Sequence, residues 1–220
     1  DKILKSIQYE LLRKNDRFEM RSNSILLSGL LYLQEICCHP QLLPMEYSDG
    51  VTKSAKLDTL MELLKPLYLN GHKVVVFSRF TKMLALIEKS IILEHMNYYY
   101  LDGSTQNRMG VVDAFEKSDN GIFLISLKAG GTGLNLISAD TAVIYDPWWN
   151  PSSEKQAEDR IYRIGQKRNV LIYKLIMEGT IEEKIQKLQA EKMSLCSEIL
   201  DGHDVPLSMT AEIMEKLILE

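Results

Sequence analysis

Cysteine is scarce in this chain: there are three in 220 residues, two of them adjacent, which leaves no basis for a disulfide framework and suits a reducing compartment. No apolar run approaches the roughly 20 residues that a membrane span needs, so no membrane partner is expected. Asp1-Lys2-Ile3-Leu4-Lys5 has neither an initiating Met nor the apolar core of a secretory signal, and the chain reads as an intracellular piece of a longer protein. The phosphate-binding Walker sequence, Gly-x-x-x-x-Gly-Lys-Ser/Thr, is absent, as is an Asp-Glu pair behind a strand that could hold Mg2+; a complete nucleotide hydrolase is therefore excluded. A formal net charge of −4 argues against a generic polyanion-binding surface. There is no internal repeat and no low-complexity tract. Cys37-Cys38-His39 raises the question of a metal, but adjacent helical residues point about 100° apart and no second ligand pair has zinc spacing, which favours two buried structural cysteines.

What is present is a strict alternation of elements. Residues 1 to 38 carry apolar positions at helical spacing, among them Ile3, Leu4, Ile7 and Leu11, then Ile25, Leu26, Leu30, Leu33 and Ile36, ending at His39-Pro40. Leu43 to Lys53, with Pro44, Ser48, Asp49 and Gly50, reads as a linker or turn. Beyond it the pattern predicts helices over 57–68, 81–94 (capped by Thr81), 108–115, 150–164, 180–200 and 210–219. Between them lie short apolar runs at 74–77, 98–101, 122–125, 141–145 and 170–176, with Asn70-Gly71 as the turn into the first. Thr180-x-x-Glu183 has the form of a capping box. Strands that are near-continuous apolar runs and alternate with helices imply an α/β fold, a parallel sheet covered by helices on both faces with helical extensions at each end. The domain reading is 1–53 as helical lead-in and linker, 54–178 as the sheet-bearing lobe, and 179–220 as C-terminal helices.

In such sheets ligands gather at the carboxyl ends of the strands. The loops there are Ser78-Arg79-Phe80, Asp102-Gly103-Ser104-Thr105, Leu127 to Asn135 and Asp146-Pro147-Trp148-Trp149-Asn150. Their hydroxyl, basic, small and aromatic residues suit a phosphate-backbone path better than an apolar pocket. Gly130, Gly131 and Gly133 either cradle phosphate oxygens with backbone N–H groups or simply make a flexible turn; the residues alone do not choose.

Gln156, Arg160 and Arg163 fall at positions i, i+4 and i+7, one face of the predicted helix, while Ala157, Ile161 and Ile164 form an apolar face that would dock on a core. Asn150 as N-cap and Pro151 at the first helical position start this helix, and Gly165 stops it. Two neighbouring guanidiniums repel each other, so a shared anionic target is expected, and the planar fork of Arg fits a transferring phosphoryl group; a solvated charged face is the plainer alternative. Residues 155 to 174 hold six cations against two anions, so this window is +4 and the remainder of the chain is −8.

Several ordered segments carry a family resemblance. Val74-Val-Val-Phe-Ser78-Arg79-Phe, Leu101-Asp-Gly-Ser-Thr-x-x-Arg108, Ile125-Ser-Leu-Lys128-Ala-Gly-Gly-Thr-Gly-Leu-Asn-Leu136, Asp146-Pro-Trp-Trp-Asn-Pro151 and Gln156-x-x-x-Arg160-x-x-Arg163-Ile-Gly-Gln166 resemble, in order and spacing, the motifs of the second RecA-like lobe of SWI/SNF-type ATPases. Ile36-Cys-Cys-His39-Pro40 and Ser54-Ala-Lys56-Leu57 are similar to that family's lead-in segments. The resemblance implies half of a DNA-stimulated ATPase of helicase superfamily two that moves along double-stranded DNA. ATP and Mg2+ would be held mostly by an N-terminal RecA-like lobe not contained here, and the fragment alone would be inactive as an ATPase. It implies Arg160 and Arg163 as arginine fingers and Gln156 and Gly133 near the nucleotide. Ser78, Arg79, Ser104, Thr105, Arg108, Lys128, Gly131, Thr132 and Trp149 would face the DNA backbone, with core packing as the alternative for Trp149. Arg79 departs from the Gln of many members, and Tyr162 from a common His. Partners would be duplex DNA, the first lobe and DNA-bound proteins as remodelling targets. The compact lobe points to a bacterial or archaeal member in the cytoplasm, with the nucleus as the place if it is eukaryotic. The rival readings are a nucleic-acid or protein docking module with a decayed ATP site, and an RNA helicase of the same superfamily.

Overall fold

The computed structural model describes residues 5, 19–48, 50–130, 134–162, 169–199 and 210–219. Two compact units divide the chain, one of residues 55–176 and one of 1–54 together with 177–220.

The 55–176 unit begins with helix α3 (Ala55–Leu69), which follows α1 (Glu19–Cys38) and the single turn α2 (Met45–Ser48) of the other unit in sequence. Gly71, at a φ of 77° that suits glycine, turns the chain into strand β1 (Lys73–Ser78). Then follow α4 (Thr81–Leu93), β2 (Tyr98–Leu101), α5 (Arg108–Lys117), β3 (Gly121–Ser126), the single turn α6 (Leu127–Gly130), β4 (Thr141–Ile144), α7 (Pro151–Glu158) and β5 (Leu171–Lys174). All four pairings are parallel and the strand order is β2-β3-β1-β4-β5. Both faces of the central strands are covered. Successive side chains alternate sides, yet Val74, Val75, Val76 and Phe77 are all fully buried, as are Ile122 to Ile125. One face packs Val75, Phe77, Phe123, Ile125, Ala142 and Ile144 with Val112 and Phe115 of α5 and with Ala157 and Ile161. α3 and α4 bring Leu60, Leu64, Met83, Leu84, Ile87 and Ile91, all fully buried.

Lys73 is an unusual core residue whose burial has a local cause. Its Nζ donates to the Phe115 and Glu116 carbonyls at 2.8 and 2.9 Å and to Ser138 Oγ at 3.2 Å. A buried ammonium with all three donors used thus satisfies the end of α5, where helix carbonyls lack intrahelical partners.

In the other unit, α1 packs against the 3-10 turn Pro40–Leu42 and against α8 (Ile181–Ile199) and α9 (Ala211–Leu219). Cys37 and Cys38 are both buried in it. Thr180 Oγ1 accepts the Glu182 N–H at 3.2 Å, and Glu183 accepts from Gly179 at 3.0 Å, one residue before the donor a regular capping box would use. Among the described residues no helix is long and apolar enough to cross a membrane.

Four sequence expectations need correction. The linker over 43–53 contains α2, begun by Pro44, whose carbonyl accepts from Tyr47 and Ser48. Thr81 is the first residue of α4 and the cap position is Phe80, with no side-chain cap bond. The helix predicted over 150–164 ends at Glu158 and continues only as a turn: the Arg160 and Ile161 N–H groups donate three residues back, to Ala157 and Glu158, and the Arg160 carbonyl accepts the Leu136 N–H at 3.2 Å. β5 forms as predicted but is exposed along its length, being the edge of the sheet rather than a covered strand. The helical pattern over 1–18, and Ile164 and Gly165, lie outside the described residues apart from Lys5.

Candidate functional site

A parallel sheet gathers every strand's carboxyl end at one edge, so residues after β1, β2, β3 and β4 converge there although they span about 70 positions of sequence.

After β2 the chain folds on a carboxylate. Asp102 Oδ1 accepts the Ser104 N–H at 2.8 Å and the Ser104 hydroxyl at 2.6 Å, and the Asp102 N–H donates to Thr105 Oγ1 at 3.0 Å. These bonds, Ser104's first, hold the Asp102 carboxyl below its usual range. Burial and then the neighbouring Asp102 charge push the Tyr100 hydroxyl up to about 12. Arg108 Nη2 donates to the Gly103 carbonyl at 3.3 Å and Nε to that of Thr105 at 3.4 Å, so the guanidinium stands over the same loop, half-buried. Ser104 is exposed and Thr105 half-buried.

After β3, Ser126 Oγ accepts the Ala129 N–H at 3.3 Å and sets the α6 turn, from which exposed Lys128 projects. Gly131, Thr132 and Gly133 lie outside the described residues, as does Arg163. Where the chain resumes, Leu134 and Leu136 are buried, and Arg160 is tied to this segment twice: its carbonyl to Leu136, and its Nη1 to the Leu134 carbonyl at 3.5 Å. Arg160 is half-buried and Gln156 exposed. Ala157 and Ile161 anchor the segment in the core, which is the apolar face the sequence predicted.

The loop after β4 is held at two points by buried carboxylates. Asp146 Oδ2 accepts the Arg79 backbone N–H at 2.9 Å and lies 3.6 Å from Arg79 Nε. Burial pushes the Asp146 carboxyl up to about 6, against the pull of Arg79, the Ser78 hydroxyl and Lys56. Glu154 Oε1 accepts the Trp148 N–H at 2.7 Å, and its Oε2 takes Lys174 Nζ at 2.8 Å. Burial pulls the Lys174 amine down, and Glu154 and Glu158 outweigh it and hold it above its usual value. The Arg79 guanidinium lies 3.8 Å from the Trp148 ring centre and 4.5 Å from that of Phe80. The Trp148 and Trp149 rings are 4.8 Å apart, both half-buried.

Ser78 and Arg79 depart from the surface role expected of them. Ser78 is fully buried and its Oγ accepts the Phe80 N–H at 3.1 Å, while the Arg79 side chain is only 11% exposed. The edge therefore offers Ser104, Thr105, Arg108, Lys128 and Trp149 towards solvent. Sequence reasoning missed Asp102, Asp146 and Glu154. The first two follow strands directly, a position worth inspecting, but an acidic residue in a turn reads as ordinary turn chemistry.

A family model described as the helicase conserved C-terminal domain matches residues 55–165. The chain is 38% identical over 211 residues to Protein CHROMATIN REMODELING 8 of Arabidopsis thaliana, covering 92% of this chain and 18% of that protein. It is 36% identical over 214 residues to the DNA repair and recombination protein RAD26 of Saccharomyces cerevisiae, covering 90% of this chain and 20% of that one. The chain thus spans about a fifth of the length of these relatives. The Sulfolobus solfataricus SWI2/SNF2 ATPase core, solved in complex with double-stranded DNA, superposes with a TM-score of 0.76 at 30% identity, over 99% of this chain and 46% of that one. A parallel five-stranded sheet, motifs converging at its carboxyl edge and these likenesses together establish that the chain belongs to the SWI/SNF family of helicase-like ATPases, as its C-terminal RecA-like lobe.

Proposed function

We propose that this lobe serves an ATP-dependent translocase on double-stranded DNA, supplying arginine fingers and phosphate-backbone contacts to a site completed by another lobe. The observation that carries the reading is the position of Arg160, stitched to the segment that follows the glycine-rich loop and anchored by Ala157 and Ile161 at the sheet's carboxyl edge. Arg160, with Arg163 three residues on, would face the phosphate oxygens of ATP held mostly by the first lobe, with Gln156 and Gly133 beside the nucleotide. Mg2+ would neutralise charge on those phosphates, and its carboxylate ligands would belong to the first lobe, since this chain has no Walker elements. The chain alone would not turn over ATP.

Ser104, Thr105, Arg108, Lys128, Gly131, Thr132 and Trp149 would position duplex phosphates without reading bases. Because the Ser104 hydroxyl and N–H both donate to Asp102, Ser104 would shape the loop more than donate to a phosphate, leaving Arg108 and Lys128 as the cations of the track. Closure of the lobes around ATP and release on hydrolysis would then step the protein along the duplex. The plant and yeast relatives are named for chromatin remodelling and for DNA repair, which supports a nuclear protein acting on protein-bound DNA over the cytoplasmic placement drawn from compactness.

The test is steady-state ATP hydrolysis by the full-length parent protein with duplex DNA, single-stranded DNA or duplex RNA. The reading expects duplex DNA to stimulate turnover most. Stimulation by RNA alone would transfer the protein to the RNA-helicase reading, and no stimulation at all would favour a docking module.

A further inference from the structure

Arg79 and Asp146 are charged groups of the edge that the surface role does not use, and they are paired with each other. A fully buried carboxylate is expensive unless its acceptors are engaged, and Asp146 Oδ2 engages the backbone of the residue that follows β1. Arg79, in turn, has its guanidinium over Trp148, a contact that a planar cation makes and an ammonium does not reproduce. The opposite side of the same residue is fixed as well, since the Trp148 amide donates to Glu154 at 2.7 Å. Trp148 is therefore pinned by ring and by main chain, and Trp149 and α7 follow directly from it.

We propose that Asp146 and Arg79 are a positioning pair that clamps the Trp148–Trp149 loop to the end of β1, and that this clamp sets the pose of Trp149 and of the Arg160 segment. The geometric half stands on the contacts; the functional half rests on the translocase reading. The charged groups that face Asp146 are Arg79 from the end of β1 and Lys56 from α3, whose Nζ also lies 5.3 Å from the Tyr145 ring centre. Glu154 reaches the loop through the Trp148 amide. Protonating Asp146 removes the anion that holds Arg79, so the Trp148 ring loses its fixed stacking partner while its amide stays on Glu154.

The chain contains two tryptophans, and both are in this loop, so intrinsic emission reports it selectively. The emission of the 220-residue chain should titrate in one step near pH 6. Asp146→Asn should abolish the step. Arg79→Gln should move it upward, because the neighbouring cation no longer favours the carboxylate. Arg79→Lys should keep the midpoint near that of the parent chain but shift the emission at neutral pH, having lost the planar stack. A thermal melt accompanies each variant, and if Asp146→Asn does not fold, the displacement of the midpoint in Arg79→Gln decides. Flat emission between about pH 4.5 and 8 in the unsubstituted chain, or an unchanged step in either variant, overturns the proposal.

In the full-length parent, Asp146→Asn should lower DNA-stimulated kcat about tenfold or more while the KM for ATP changes less than about threefold. Parental kcat in that variant, with the fluorescence step present in the unsubstituted chain, overturns the functional half only. Lack of DNA stimulation in the unsubstituted parent overturns that half together with the translocase reading.

Discussion

Replacing Glu154 with Ala tests how the tryptophan loop is held. The Glu154 carboxylate is 1% exposed and accepts two charge-assisted hydrogen bonds, 2.7 Å from the Trp148 amide and 2.8 Å from Lys174 Nζ. Bonds to an ionised acceptor contribute about 1.5 to 3 kcal/mol each when buried. The Trp148 bond takes that value in full. The Lys174 bond is discounted, because its side chain is 37% exposed and Glu158 Oε1, at 3.3 Å, can take over the ammonium. The variant should therefore lose about 2 to 3 kcal/mol, nearly all of it through the Trp148 amide, which at this chain length is a melting shift of roughly 5 to 10 °C. Lys174→Met should cost less than about 1 kcal/mol. Urea titration followed by tryptophan emission measures both. A loss below about 0.5 kcal/mol in Glu154→Ala, or a larger loss in Lys174→Met than in Glu154→Ala, would refute the weight given to the bond with the Trp148 amide.

Lys73→Met should cost about 1 to 2 kcal/mol by thermal or urea unfolding, because it removes the buried donor to the Glu116 carbonyl, while the Phe115 carbonyl keeps the Ser118 N–H and hydroxyl; a neutral outcome would refute the capping role. Asp146 has a folded value near 6 against an ordinary value of 3.8, so the folded state binds its proton more tightly. Its contribution is most favourable below about pH 4 and declines as pH rises to about 6, by on the order of 2 to 3 kcal/mol; Asp146→Asn should remove that dependence from the difference between melts at acidic and neutral pH. Lys128→Ala should weaken duplex binding equally across sequences and reduce the slope of log K against log salt by about 1, measured by fluorescence anisotropy on the parent. A sequence-dependent loss would speak against a phosphate contact.

Much of the fold is readable because the strands are short apolar runs between turn residues. Val74 to Phe77 and Ile122 to Ile125 could hardly be anything else, and Ala157 and Ile161 declare the face that docks the arginine segment. What local patterns do not carry is where an element ends up. Residues 170 to 176 look as buried as β1 does, but exposure is decided by what packs over a strand: both β2 and β5 are edges, and β2 is half-buried while β5 is exposed. The helix after Asn150 has helical spacing through Ile164, but i→i−4 bonding lapses at Arg160, where the chain turns and is held by Leu136, more than 20 positions away, through the Arg160 carbonyl. Ser78-Arg79 after a strand looks like a phosphate contact; a carboxylate 67 residues later turns the arginine inward. Each of these outcomes depends on a partner distant in sequence, which periodicity cannot supply.

The assignment of the arginine fingers is tested most directly by ATP hydrolysis in the full-length parent carrying Arg160→Ala, Arg163→Ala or the corresponding Lys substitutions, with and without duplex DNA. Each should reduce turnover by on the order of 10³-fold, Lys included, since a point charge does not reproduce the planar fork, while melting temperature and duplex affinity stay close to those of the parent. Hydrolysis at near parental rates in both Ala variants, with unchanged melting, would make residues 156 to 163 a solvated or structural face and contradict the account.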